Sequence, residues 1–426
     1  MSLNPKIFLL FVLPLTIFLS FNKHSKDKTG TYHNVIWADA AGYYVYLPIW
    51  FIYGNEANQF PDSIGNQIGD GFHINSINNQ ITTKYPCGVA ILETPFFLAA
   101  HLLAKISDHE ANGFSKIYSY GLYVSGAVYC CFALFLISSF LSRHFSNLIS
   151  FATPLLFFVS TNLYYYSIDA PGMSHIYSFF LFSLIIYITP SLITNPSLKY
   201  FTLFFLITAL SILTRPTNII MILFPLFYNV KNYSDFKLRL SLIRNKTKVV
   251  VIGILLSSVL FIPQLTFWYQ TTGKIIIYSY QNESFIYWKT PKLIEIWFST
   301  NNGLFLYTPI ILLSLSGINI MMRNKEWIGF LIGFIFLATS YLFSSWWCWW
   351  FGCSFGARSF VEYYALLAIP LAYLLNKTKN MMVIKTIIIL FIMFCCCLNM
   401  DIEYYYDGCF YGGTWDLTTY LKLLKL

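Results

Sequence analysis

Long apolar runs separated by short polar segments dominate this chain of 426 residues. The runs are comparable in length with the roughly 20 apolar residues that a transmembrane helix needs. The pattern predicts an all-α fold, a polytopic transmembrane helical bundle of about 11 spans that forms a single transmembrane domain over residues 1–426. The expected spans are 7–21, 118–141, 149–163, 176–188, 201–213, 217–228, 249–267, 303–320, 327–344, 361–375 and 381–400.

One further apolar segment, 86–106, carries Glu93 and His101. We interpret it as a helix that lies in the outer membrane interface, because charged groups are tolerated there. Residues 22–116 would then form the first extracytoplasmic loop, with interfacial helices. If 86–106 crossed the bilayer instead, the N-terminus would lie outside.

Composition supports a membrane protein. Hydrophobic residues make up 57% of the chain and charged residues 11%, whereas soluble domains carry about 25% charged residues. Aromatic residues reach 20%, which suits a protein with wide membrane interfaces. The net charge of +9 is typical of the positive-inside bias rather than of a nucleic-acid-binding protein, so nucleic acid is not an expected partner.

The segment 230–248 fixes the predicted topology. It holds six Lys and Arg residues and one acid, Asp235, and short basic loops stay in the cytoplasm. Counting spans outwards from this basic cytoplasmic loop places the N-terminus in the cytoplasm and the C-terminus outside. About half of the 27 Lys and Arg residues, but only Asp235 and Glu326 of the 18 acids, then face the cytoplasm. The sequence therefore predicts a multi-pass protein of the inner (cytoplasmic) membrane.

Ionisable residues beside the predicted spans gather on the outer face. Such residues are costly in a bilayer, so those near its surface are candidates for function. They are Asp39, Lys84, Asp169, His175, Arg215, Arg358 and Glu362. A carboxylate can take the proton of an acceptor hydroxyl, and Arg or Lys can neutralise a departing phosphate. Together they fit transfer of a group from a lipid phosphate.

Each candidate also has a structural interpretation. Asp39 could cap a helix, and Asp169, which precedes Ala-Pro-Gly, could belong to a turn. Arg215 and Lys84 could extend from an apolar surface to water. The residues that could serve instead as hydrogen-bonded supports are His175 and Glu362.

The nine cysteines show no metal-ligand spacing. Five of them fall in apolar runs, where cysteine behaves as a small hydrophobic residue. The other four, Cys87, Cys348, Cys353 and Cys409, lie in segments predicted to be outside. The odd count and the lack of a framework disfavour a disulfide among them.

At its outer-face residues the chain resembles the GT-C superfamily of polytopic glycosyltransferases, which use polyprenyl-phosphate-linked sugars. Protein O-mannosyltransferases and lipid A aminoarabinose transferases are relatives. The likeness rests on Asp39 in the first external loop, followed by Tyr43 and Tyr44, on Lys84 before a Tyr-Pro step, and on Asp169 two spans later. It covers the layout of residues 1–230.

The resemblance implies an inverting displacement at the anomeric carbon. Asp39 would be the general base, and Asp169 would orient the acceptor or the base. Lys84, Arg215 and Arg358 would hold the departing polyprenyl phosphate. Further substrate contacts would come from Tyr43, Tyr44, His175 and Glu362. The acceptor would be a cell-envelope glycan, a lipid or a protein.

The sequence departs from the GT-C pattern in one respect that concerns metals. The usual acidic pair is reduced to Asp39, flanked by Ala38 and Ala40, and one carboxylate is a poor site for a divalent ion. We therefore expect no cofactor, and a divalent metal is not favoured. No large soluble domain follows the spans, which disfavours the oligosaccharyltransferase branch.

Other classes of function remain open at this point. A transporter or flippase for lipid-linked sugars would need broken or polar spans around a midplane cavity, and Arg215 with Pro216 is the only candidate break. A polysaccharide polymerase would depend on external arginines more than on Asp39. A membrane scaffold without enzymatic activity is a further alternative.

Overall fold

A computed structural model describes residues 4–27, 31–61, 64, 68–75, 79–281 and 283–424 of the chain. The protein is 69% helical. In chain order the first ten helices are α1 Leu13–Lys23, α2 Ala38–Tyr44, α3 Tyr46–Pro48, α4 Gly88–Lys105, α5 Lys116–Leu141, α6 Asn147–Ser160, α7 Leu163–Ile168, α8 Ser174–Thr194, α9 Leu198–Thr214 and α10 Phe224–Phe227. The others are α11 Tyr233–Asn245, α12 Thr247–Ser258, α13 Ile262–Thr272, α14 Leu293–Phe298, α15 Leu304–Tyr307, α16 Ile311–Arg323, α17 Trp327–Ser344, α18 Tyr364–Thr378, α19 Met382–Tyr405 and α20 Leu417–Leu423.

Short elements of other types extend or connect these helices. The π-helical turns are Phe8–Val12 and Ile49–Tyr53, and the 3₁₀ helices are Ala57–Gln59, Pro216–Leu223, Val259–Phe261 and Arg358–Tyr363. In the described residues the β-structure is one antiparallel hairpin, β1 His73–Asn75 with β2 Gln80–Thr82, which pairs His73 with Thr82.

Seven helices in the described part of the chain are long and apolar enough to cross a membrane. They are Gly88–Lys105, Lys116–Leu141, Ser174–Thr194, Thr247–Thr272, Trp327–Ser344, Arg358–Thr378 and Met382–Tyr405. The shorter apolar helices are Phe8–Lys23, Asn147–Ser160, Leu198–Thr214, Pro216–Phe227 and Ile311–Arg323. Every predicted span overlaps one of these helices, so the prediction of an all-α, multi-pass membrane protein is confirmed.

The helices differ sharply in how much of their surface other helices cover. The segment Arg358–Thr378 is the most deeply buried of the seven, and α8 packs against α5, α9 and α18 at the centre. By contrast, α12 and α19 expose apolar side chains such as Leu255 and Leu390. Exposed apolar surface of this extent is costly in water but not in hydrocarbon, so these faces suit contact with lipid.

Helix α4 is the segment predicted to lie in the interface. It packs against α5 and α9, and it exposes Leu98, Leu102 and Leu103. Gly88 at its start lies directly against the backbone of Leu213, where a Cβ atom would collide. The position of α4 relative to the bilayer stays a prediction.

Proline interrupts one predicted span and marks the turn between two others. Pro309 separates α15 from α16, since proline lacks the N–H that would continue a helix. Pro216 opens a 3₁₀ helix directly after α9, and Arg215 between them is extended, with φ −152°. The predicted external tip is therefore a sharp turn whose arginine side chain is only 15% exposed.

Candidate functional site

A cavity of about 260 Å³, here called the first cavity, lies at one end of the bundle. It is enclosed by α2, the segment that leads into α4, the turn after α9, the connection between α13 and α14, and the residues that follow α17. Its ionisable residues are Asp39, Lys84, His175, Arg215, Glu283 and Arg358, together with Tyr43, Tyr85, Tyr278 and Tyr280. Segments more than 300 residues apart in sequence therefore meet around one small volume.

Asp39 lies in the first turn of α2, where the helix dipole favours a carboxylate. It accepts hydrogen bonds from the hydroxyl of Tyr85 and from a guanidinium nitrogen of Arg358, the latter at 2.7 Å. Its side chain is 32% exposed. Burial raises the pKa of Asp39, but Arg358, Tyr85 and Lys84 outweigh it and hold the pKa below its usual value. Asp39 is therefore a carboxylate at neutral pH.

Tyr85 is held against α2 by a close approach of backbone and ring. Gly42 of α2 faces the Tyr85 ring and the carbonyl of Gly71 so closely that a Cβ atom there would collide with both. Burial, and then the neighbouring Asp39, raise the pKa of Tyr85 well above its usual value. The phenol thus stays protonated and donates to Asp39.

Arg215 is held in place by a buried carboxylate that does not line the first cavity. Glu362, in the 3₁₀ helix before α18, is 0% exposed, and its Oε1 lies 2.9 Å from a guanidinium nitrogen of Arg215. That same nitrogen lies 2.8 Å from Nδ1 of His175. A guanidinium has five N–H donors, so Arg215 keeps donors for a ligand while Glu362 and His175 fix its position.

Lys84 lies two residues after β2 and forms an ion pair with Glu283, with Nζ and Oε1 2.6 Å apart. Glu283 belongs to the connection between α13 and α14, which covers the first cavity. The hydroxyl of Ser279 in the same connection donates to the carbonyl oxygen of Lys84 at 2.7 Å. These contacts connect the segment between α13 and α14 to Lys84 at the edge of the first cavity.

The opposite wall of the first cavity is apolar. Leu342 and Phe343 from the end of α17 form it, and Phe285, Trp346 and Phe351 extend it. Helix α17 is one of the candidate spans. The first cavity therefore joins a group of cations to an apolar wall, part of which belongs to a candidate membrane span.

A second cavity of about 550 Å³ adjoins the first. The residues common to both are Asp39, Met173, Phe351 and Arg358. The end of α1, Trp37, the residues around α7, the loop 351–354 and the tail 406–411 enclose it. Asp39 and Arg358 thus stand between the two cavities.

Asp169, directly after α7, faces the second cavity. Its Oδ1 lies 2.6 Å from Nζ of Lys23, whose ammonium group is also 3.5 Å from Glu403. The side chain is 7% exposed, and Oδ2 has no hydrogen-bond partner among the described residues. Burial, and then the nearby Glu403, raise the pKa of Asp169 well above its usual value.

A disulfide closes one side of the second cavity. It joins Cys353, in the loop before Arg358, to Cys409 in the tail after α19. The hydroxyl of Tyr406 also donates to the carbonyl of Ser354. The expectation that the outer cysteines form no disulfide is therefore wrong, because the fold brings together two that are 56 residues apart in sequence.

The structure gathers most of the predicted site residues but not all. Those at the first cavity are Asp39, Tyr43, Lys84, His175, Arg215 and Arg358. Glu362 lies behind it, and Asp169 is in the second cavity. Tyr44 is away from both, buried in the interior with its hydroxyl donating to the carbonyl of Gly113 at 2.5 Å.

The sequence did not point to Tyr85, Glu283, Lys23 or Glu403. Tyr85 stands next to Lys84, and adjacency was the one available signal. Glu283 is an isolated acid in an aromatic segment that is predicted to be external. Lys23 and Glu403 are 380 residues apart, and only the fold brings them together.

The donor set does not fit a divalent metal. Asp39 is bound by a guanidinium and Asp169 by an ammonium group, so a metal ion would have to displace a cation from each. In the described residues, no group of three or more His, Cys, Asp or Glu side chains could hold a metal ion. Independence from metal stays a prediction.

No family model and no curated protein sequence matches this chain. It is similar to the crystal structure of the Archaeoglobus fulgidus oligosaccharyltransferase in the apo form, with a TM-score of 0.49 and 12% identity over 95% of this chain and 57% of that chain. It is also similar to the archaeal oligosaccharyltransferase AglB from Archaeoglobus fulgidus in complex with an inhibitory peptide and a dolichol-phosphate, with a TM-score of 0.48 and 11% identity over 97% and 56%. This chain thus spans little more than half the length of those chains. At these scores, function has to be inferred from the site itself.

Proposed function

We propose that this protein is a membrane glycosyltransferase that moves a sugar from a polyprenyl-phosphate carrier to an acceptor hydroxyl on the outer face of the membrane. The observation that carries the proposal is the position of Asp39. Its ionised carboxylate stands between two cavities, one of which has three cations and an apolar wall. The GT-C-like layout of residues 1–230 also supports this proposal.

The first cavity suits the donor. Arg215, Arg358 and Lys84 offer charge-assisted hydrogen bonds to a phosphate. The apolar wall formed by Leu342 and Phe343 suits the first prenyl units of the carrier, which would reach the cavity sideways from the bilayer. A site that served only a soluble nucleotide sugar would need no such wall.

The reaction follows from this placement. The acceptor oxygen attacks the anomeric carbon while its proton passes to Asp39. The bond between that carbon and the phosphate oxygen breaks, and polyprenyl phosphate departs with its charge held by Arg215, Lys84 and Arg358. Because the acceptor approaches from the second cavity, opposite the leaving group, the displacement inverts the anomeric centre.

The site supports the predicted orientation of the chain. Asp39, Lys84, Arg215 and Arg358 all lie on segments that the charge pattern places outside the cytoplasm. A disulfide persists in oxidising compartments, and Cys353–Cys409 borders the same site. We therefore place the site on the extracytoplasmic face of the inner membrane, with the N-terminus inside and the C-terminus outside.

The test is incubation of purified protein with a panel of polyprenyl-phosphate sugars and measurement of released polyprenyl phosphate. Asp39→Asn preserves shape and should lower the rate by roughly 10²–10⁴-fold, the usual contribution of a general base. Asp401→Asn, at an exposed position of α19, is the matched control and should keep the parent rate.

A transporter gives a different result. It has no leaving group and no proton to abstract, so its Asp39→Asn variant would keep moving lipid-linked sugar at nearly the parent rate. Release of polyprenyl phosphate at the parent rate by Asp39→Asn would show that Asp39 is a helix cap and that the catalytic assignment is wrong.

A further inference from the structure

We infer that the second cavity binds a neutral saccharide, which makes the acceptor a glycan rather than a peptide or a phosphorylated lipid. The inference rests on the proposed function, because it names the acceptor that Asp39 would deprotonate. The second cavity itself is a feature of the fold, and its ligand can be tested without turnover.

The first observation is a carboxyl oxygen of Asp169 that has no hydrogen-bond partner among the described residues. The side chain of Asp169 is 93% buried, since its exposure is 7%, and it lines the cavity. Oδ1 is engaged by Lys23, but Oδ2 has no partner among the described residues. A buried polar atom without a partner is costly, and a ligand hydroxyl would satisfy it.

The second observation is the aromatic lining. Trp37 and Tyr165 line the interior, while Tyr32 and Tyr411 line the outer part and are 52% and 77% exposed. A sugar ring presents C–H faces that pack on aromatic rings and hydroxyls that bond to phenol and carboxylate groups. A wall of this kind suits a pyranose.

The third observation is the charge of the lining, which differs from that of the first cavity. Two permanent cations, Lys23 and Arg358, face four aspartates. Each basic group already has an acidic partner. The pairs are Lys23 with Asp169, His24 with Asp27, His33 with Asp407 and Arg358 with Asp39. An incoming phosphate would find no unpaired cation, whereas a neutral polyol would meet hydrogen-bond acceptors.

The size and the position of the second cavity also fit a saccharide. A volume of about 550 Å³ lies within the usual range of small-ligand sites, about 300–1,000 Å³. Because Asp39 lines this cavity as well as the first, a sugar bound here can present a hydroxyl to the carboxylate.

The experiment uses full-length protein in nanodiscs and saturation-transfer NMR, with cellotriose, maltotriose, chitotriose and mannotriose as neutral probes. At least one probe should receive saturation. Asp169→Asn should weaken its binding about 2–10-fold, the range for a neutral hydrogen bond. Tyr411→Ala, at a highly exposed position, should weaken binding without affecting the fold.

Two variants serve as matched controls. Tyr404→Ala removes an aromatic ring that is 74% exposed but lies outside the cavity, and Glu283→Gln alters only the first cavity. Both should bind the probe like the parent protein.

Three results would overturn the inference. The first is that none of the four sugars receives saturation. The second is that binding is equal in the parent protein, Asp169→Asn and Tyr411→Ala. In the third, an acetylated Ala-Ser-Ala peptide shows Asp169-dependent saturation while the sugars show none.

The outcome is separable from that of the proposed function. Sugar binding without release of polyprenyl phosphate would refute the transferase and leave the cavity assignment standing. Release of polyprenyl phosphate to water, with no sugar binding, would do the reverse.

Discussion

The two cavities share Asp39 and Arg358 but differ in the charge and polarity of their linings. The first is small, with Lys84, Arg215 and Arg358 facing two carboxylates, and its far wall is apolar. The second is about twice as large, is lined by tyrosines, and has four aspartates against two permanent cations. The two linings therefore favour ligands of different charge and polarity. This contrast supports the proposed assignment of a lipid phosphate to one side of Asp39 and of a neutral polyol to the other.

The disulfide belongs to the second cavity alone, and its loss should have the largest effect on stability. Cys409→Ser releases a closed loop of the kind that disulfides stabilise by about 2–4 kcal/mol. The thermal midpoint in detergent should fall, and acceptor KM should rise more than donor KM. Cys348→Ser, at a free cysteine, is the control. An equal rise in both KM values would mean that the disulfide supports the whole outer end rather than one cavity.

Arg215 belongs to the first cavity alone. Arg215→Lys keeps the charge facing Glu362 but loses the planar fork that bonds to phosphate. The lost contacts correspond to about 1.5–3 kcal/mol, so kcat/KM for the donor should fall about 10–100-fold with acceptor KM unchanged. Arg244→Lys, exposed on α11, should change neither. An acceptor-specific defect in Arg215→Lys would reverse the assignment of the cavities.

Glu362 should act only through Arg215. Glu362→Gln leaves the guanidinium without its buried counter-charge, and we expect about a tenfold loss in kcat/KM for the donor, corresponding to about 1.4 kcal/mol. Glu362→Asp should restore part of it. The readout that separates positioning from general damage is the split between donor and acceptor KM, together with the partial rescue by Glu362→Asp.

The pKa values of Asp39 and Asp169 shift in opposite directions, and this predicts a pH effect on stability. The pKa of Asp169 is raised in the folded protein, whereas in the unfolded chain it is about 3.9. The folded state therefore binds more protons above that pH, and stability falls as pH rises towards the folded pKa, by at most about 1.4 kcal/mol per pH unit. Thermal midpoints measured from pH 4 upwards should show this fall in the parent protein. Asp169→Asn should flatten it, and identical curves would contradict the raised pKa.

The smallest expected effect is that of a chelator. Because the carboxylates of both cavities are already neutralised by cations, EDTA should leave the initial rate of sugar transfer unchanged. A loss that manganese or magnesium restores would show that Asp39 and Asp169 meet around an ion.

The sequence predicted the parts of this molecule that depend on local physics. An apolar run of bilayer length forms a helix wherever it lies, so the predicted spans overlap helices, apart from the break at Pro309. The positive-inside bias places the charges at their ends on the outer face, and this assignment stays a prediction. Asp39, Lys84 and Arg215 could be selected in this way, because a charge at the end of an apolar helix stands out in the sequence itself.

The partners of those charges could not be predicted, because pairing depends on which helices become neighbours. Glu362 and Arg215 lie in separate segments of the chain, Lys23 and Glu403 belong to different helices, and hydropathy carries no information about which segments become neighbours. The disulfide was missed for the same reason, since cysteine spacing is informative only within a local framework. Tyr44 was included because it is adjacent to Tyr43, although successive residues of a helix point in different directions.

Arg358 has a consequence for the order of events. Because one guanidinium serves both cavities, a phosphate that takes up some of its N–H groups loosens its hold on Asp39 and makes that carboxylate a stronger base. Donor occupancy would thus switch on the base in the neighbouring cavity. Thermodynamic linkage requires the converse: protonation of Asp39 must change donor affinity by the same factor by which a bound donor changes the proton affinity of Asp39. Donor binding and protonation of Asp39 would then be coupled, with Arg358 as the coupling element.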